Sequence, residues 1–110
     1  MTSILNDTKH SLGLLPDETA FDQDIIITIN SAFMVLTQLG VGPPEGYRIT
    51  SAANEWDEFY TDPRLDGVRT YLHLKSKLVF DPPGTGFVLS SMERQIQELE
   101  YRLNVVAEYG

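Results

Sequence analysis

Residues 89–106 read LSSMERQIQELEYRLNVV, and the spacing of their apolar positions decides the fold. Leu89, Met92, Ile96, Leu99, Leu103 and Val106 alternate steps of three and four, a seam a little over two heptads long. Glu93, Gln95, Glu100 and Arg102 flank it, and Glu98 stands four residues before Arg102 in the favourable order. This predicts a helix packed lengthwise on others. It begins between Thr85 and Ser90, because Ser90-x-x-Glu93 has the form of a capping box, and runs to about Glu108.

Upstream, Asp81-Pro82-Pro83-Gly84 stops the preceding element. That element starts at Asp62-Pro63, a cap followed by proline in the first turn, and runs to about Phe80. Leu65, Val68, Leu72 and Val79 form its stripe, widened by Tyr71, Leu74 and Leu78. A short helix is predicted over Asn54 to Tyr60, with Trp56, Phe59 and Tyr60 on one side. Before it, residues 41–53 form a connection long enough to carry a binding role. A second helix spans about Ala20 to Leu39, with Thr19 and Asp22 resembling a capping box. Its isoleucines alone fit a strand, but its length and caps argue helix. Ile25, Ile26, Ile27, Ile29, Phe33, Met34, Val35, Leu36 and Leu39 cover most of its circumference, which predicts a central helix. A first helix, about Ser3 to Leu12, is capped by Ser3 and ended by Gly13. The expected fold is all-α: a single domain, residues 1–110, built as a bundle of four to five helices with one long connection.

The totals agree. A chain of 110 residues has room for one core, and its 42% hydrophobic content can supply it. The absence of cysteine removes disulfides, zinc–thiolate sites and cysteine nucleophiles. The start shows no basic segment followed by an apolar one, so no signal peptide is expected, and apolar runs are too short for a membrane span. Residues 1–62 hold ten acidic residues against Lys9 and Arg48, whereas residues 63–110 hold six of each sign. The bland meaning is solubility. The sharper one is an acidic face that repels nucleic acid or meets a basic partner; eight scattered basic residues do not suit phosphate neutralisation.

No catalyst assembles in the pattern. His10 and His73 fall on different helices without ligand spacing, and no metal or cofactor is expected. Asp22-x-Asp24 and Glu55-x-Asp57-Glu58 stand at helix starts, where the dipole accounts for them. Asp62, Asp66 and Gly67 lack the alternating donors of a calcium loop, and Pro63 interrupts them. Glycines 40, 42 and 46 follow a helix and not a strand, so they form no phosphate loop, and Gly-x-Ser-x-Gly is absent. What remains is contact surface. Tyr101, Val105 and Tyr109 make a second row on the last helix, either packed between two neighbours or left for a partner. Trp56 and Tyr60 are either core or interface anchors. Tyr47 and Arg48, on the long connection, are residue types that interfaces favour.

Phrases along the chain then point to a family: Phe21-Asp22-x-Asp24-Ile25-Ile26, Ile29-Asn30-Ser31-Ala32-Phe33, Gln38-Leu39-Gly40-Val41-Gly42, Thr70-Tyr71-Leu72-x-Leu74-Lys75, Phe80-Asp81-Pro82-Pro83 and Glu98-Leu99-Glu100-x-Arg102-Leu103-Asn104. Over about residues 3–108 the chain resembles the small head–tail connector (adaptor) proteins of long-tailed bacteriophages. The resemblance implies a non-enzymatic virion protein, assembled in the host cytoplasm. It implies a homo-oligomeric ring under the portal protein, bridging it to the tail-side head-completion protein. DNA passes through the ring without specific binding, and no catalytic residues carry over. A closed ring needs two unlike patches per protomer, which the 41–53 connection with Trp56 and the last helix can provide. An acidic lumen would let DNA slide. The rival expectation is a small acidic binding protein, a regulator or DNA-mimic inhibitor acting as monomer or dimer.

Overall fold

The computed structural model describes residues 2–109. Four helices follow one another: α1 (Ile4–Ser11), α2 (Asp22–Gln38), α3 (Gly67–Phe80) and α4 (Gly86–Tyr109), with no strand among the described residues. The Ser3 hydroxyl accepts from the Asn6 amide at 3.2 Å, and Gly13, at φ +79°, ends the first helix while Leu14 N–H reaches the Lys9 carbonyl. Gly40, at φ +83°, ends α2 in the same way, with Val41 N–H on the Leu36 carbonyl at 2.9 Å.

One helix start differs from expectation. Thr19 does not cap α2: the N-cap is Phe21 and makes no side-chain cap bond. The Asp22 carboxylate turns instead to the Lys9 ammonium, 2.8 Å away, so it cannot close a box with Thr19. The start of α4 falls within its expected range, at the Thr85 end: Thr85 Oγ1 accepts the Val88 amide at 3.3 Å, and Ser90 lies inside the helix.

The Asn54–Tyr60 helix shrinks to a single 3-10 turn, Trp56–Glu58. Its upstream backbone is committed elsewhere. Asn54 O accepts from Ile4 N–H at 3.1 Å and Trp56 N–H donates to Thr2 O at 3.2 Å, so Ser3 and Glu55 form an isolated antiparallel bridge. Asp62 Oδ1 accepts the Arg64 amide at 2.9 Å and caps a second 3-10 turn, Pro63–Leu65, that leads into α3.

The centre of the bundle is α3, which packs against α1, α2 and α4. The expectation that α2 is enclosed on all sides fails: it buries Ile25, Ile29, Phe33 and Leu36 but leaves Ile27 62% and Met34 59% exposed. Its apolar circumference is wider than its two neighbours can cover. Val79 likewise leaves the α3 stripe for solvent, whereas Val68, Tyr71 and Leu72 are fully buried. From α4, Ile96 and Leu103 enter the core and Leu99 packs at its edge. The molecule measures 39 × 36 × 20 Å, a slab about two helix diameters thick.

Candidate functional site

The 41–53 connection is held against α2 by hydrogen bonds from one side chain. The Asn30 amide donates to the Ile49 carbonyl at 3.0 Å and accepts the Ile49 N–H at 2.8 Å. Val41 and Ile49 are buried, and Gly42, at φ +86°, lets the chain pass the Phe59 ring so closely that a Cβ there would overlap it. Tyr47 meets Phe33 edge-on, ring centres 5.2 Å apart, and its hydroxyl donates to Glu58 Oε1 at 2.8 Å. Burial, then the Glu58 carboxylate, pushes the Tyr47 phenol above its ordinary range. Glu58 is held below the usual carboxylate range by the Asn54 amide, the Glu55 N–H and the Tyr47 hydroxyl. Arg48 is exposed, beside Met34 and Glu45, on a groove of about 420 Å3 between the connection and α2.

Trp56 and Tyr60 lie inside the chain's own core, 0% and 5% exposed. Trp56 Nε1–H donates to Asp7 Oδ2 at 2.7 Å, which joins the 3-10 turn to α1. The Arg69 guanidinium stacks over the Trp56 ring at 5.2 Å and donates to the Tyr60 hydroxyl at 2.8 Å, while that hydroxyl donates to Asp66 at 2.8 Å. Burial raises the Tyr60 phenol, against the pull of Arg69. These side chains lock α1, the 3-10 turn and α3 together within one chain. Of the two roles open to Trp56 in the sequence, the geometry of the single chain gives it the core one.

The second row of α4 is where surface remains. Tyr101 is 70% and Tyr109 81% exposed, with Val105 partly covered between them. Phe87, at the other end of the helix, is 80% exposed. It was missed in the sequence, although its place on the side opposite the seam was readable from helical spacing. Tyr71 fixes the middle of α4 by donating to Glu100 at 2.7 Å, and burial followed by that carboxylate raises its phenol. Asn104 donates to the Leu39 carbonyl at 2.9 Å and ties α4 to the end of α2.

Two polar residues hold buried polar atoms. Lys9 is fully buried, its ammonium on Asp22 and on the Pro16 carbonyl at 3.0 Å. His73 is half-buried, and its Nε2 has no hydrogen-bond partner. Among the described residues no group of His, Asp and Glu converges as metal ligands would, and no helix is long and apolar enough to cross a membrane.

The chain is a flat helical domain, polar-locked inside and aromatic along one outer edge, of the all-α class. Family comparison gives that class a place: residues 4–110 match the family described as phage connector protein, and the chain belongs to that family. No curated protein and no solved structure matches it.

Proposed function

We propose that the protein closes into a ring at the head–tail junction of the virion. There it bridges the portal protein and the tail-side head-completion protein, and DNA passes through its centre without specific binding. It is assembled in the host cytoplasm and acts through its surfaces, with no catalytic step. Family membership over residues 4–110 carries this reading. Several features support it. The protomer is a slab only 20 Å thick, a shape that stacks side by side around an axis. Tyr101 and Tyr109 offer aromatic contact area along α4, and Arg48 stands exposed beside α2. The excess of acid in residues 1–62 suits a channel wall that phosphates do not grip.

The decisive measurement is the mass of the purified protein by light scattering over a range of concentrations, alone and mixed with its portal. A ring-sized species, or a defined complex with the portal, is the expected result. A monomer that ignores the portal at every concentration overturns the reading and leaves a small acidic binding protein in its place.

A further inference from the structure

Two apolar features of opposite shape stand on this protomer, and both are nearly free of charge. The first is convex. Residues 82–92 contain no Asp, Glu, Lys or Arg. They include the opening turn of α4, where Phe87 is 80% and Val88 45% exposed. Met92 is the first buried residue of the helix, so the turn before it stands clear of the bundle. The second is concave: a groove of about 400 Å3 between α2 and α3, walled by Ile27, Met34, Leu78 and Val79. Lys75 is its one charged lining residue. The Lys75 ammonium lies 5.8 Å over the Tyr71 ring, which turns the charge aside and leaves the aliphatic stem as wall.

Phe87 cannot fill the groove of its own chain. Ile96 enters the core, and Phe87 precedes it by nine residues, about two and a half turns. The two side chains therefore project on opposite sides of α4. Since α3 walls the groove and α4 turns its seam to α3, Phe87 points away from both.

We propose that Phe87 and Val88 of one copy seat in the α2–α3 groove of the next, so that the occupant is a second copy of this chain. The proposal rests on the ring reading and supplies its two unlike patches. Charge selects the occupant. Each copy carries a net −8, so two copies meet with little local repulsion where both facing surfaces lack acidic residues. The overhanging turn and the groove meet that condition together. Area sets the strength. One aromatic side chain buries about 150–250 Å2, and a stable pair needs about 800 Å2 from each partner. A single seated contact is therefore weak, and copies hold together when the ring closes or when a template aligns them.

The chain has no cysteine, which makes the contact directly testable. Ile27→Cys and Val88→Cys would be prepared separately, then mixed and oxidised under assembly conditions. The mixture cross-links Ile27→Cys copies to Val88→Cys copies, neither variant cross-links alone, and the double variant gives a ladder of multimers. Phe87→Ser, at an exposed position, keeps the unfolding midpoint and raises the concentration needed for assembly by about ten- to a hundred-fold. Cross-linking of either single variant with itself as strongly as in the mixture would mean a symmetric pair and overturn the proposal. So would an absent mixed product under conditions where light scattering shows a ring, with the connector reading left intact. A wild-type chain that stays monomeric with and without portal sinks both.

Discussion

Lys9 keeps its ammonium inside the protein, 2.8 Å from Asp22 and 3.0 Å from the Pro16 carbonyl. The pair fastens the α1–α2 loop to the start of α2, and removing one partner strands the other. Lys9→Ala is expected to cost about 2–4 kcal/mol in urea unfolding, toward the low end because Asp22 still reaches water. Lys9→Met, which keeps the packing of the stem, loses less. His73 sets a pH limit. Burial lowers its pKa from the ordinary 6.5, with Asp7 opposing and Arg69 and His10 adding to the shift. The folded state therefore holds the neutral imidazole, and the unfolded chain takes up its proton first as pH falls. Stability is fully present above about 6.5 and declines as pH drops from there toward the lower folded pKa. His73→Gln is expected to flatten that part of the urea-midpoint profile between about pH 7.5 and pH 5, measured against wild type.

At the scale of elements, the 41–53 connection hangs on one side chain. Asn30→Ala leaves the buried Ile49 backbone without either of its bonds and is expected to cost about 1–3 kcal/mol. Amide exchange over residues 41–50 should quicken more than exchange in α3, which distinguishes local release from global loss. Whether such a connection is ordered cannot be seen in its composition, because its anchor lies in α2, 19 residues upstream. What periodicity and caps determine was legible: α1 and α4 fall where Ser3 and the 89–106 seam put them, and α3 ends at Phe80 as its stop signal requires, although Asp62-Pro63 opens a 3-10 turn ahead of it and not the helix itself. What depends on neighbours was not. The apolar excess of α2 reads as enclosure until the helices beside it are counted. The short helix at Asn54 gives way to a bridge with Ser3, a partner far away in sequence. The outer surface of α4 was half legible, through Tyr101 and Tyr109, whereas Phe87 lay hidden in what read as a helix start.

For the molecule as a whole, shape and charge pull in different directions. A slab 20 Å thick invites lateral stacking, yet in the proposed ring every copy would bring a net −8 to its neighbour. Screening falls within about 10 Å at 0.1 M salt, so assembly is expected to strengthen from low to moderate ionic strength. Sedimentation at two salt concentrations checks this, and weaker assembly at the higher one would count against apolar contacts as the cohesive element. The bridge between Ser3 and Glu55 bears on time as well as on form. The α3–α4 hairpin needs only local contacts, while seating α1 closes a loop of about 50 residues, at an entropic cost on the order of 3 kcal/mol. The closure between Ser3 and Glu55 is therefore expected to form after that hairpin. Trp56, the one tryptophan in the chain, donates to Asp7 across this closure. Its fluorescence is thus a built-in clock for this closure: emission is expected to change later than the bulk of the helix signal, and Asp7→Asn to alter that later phase more than the earlier one.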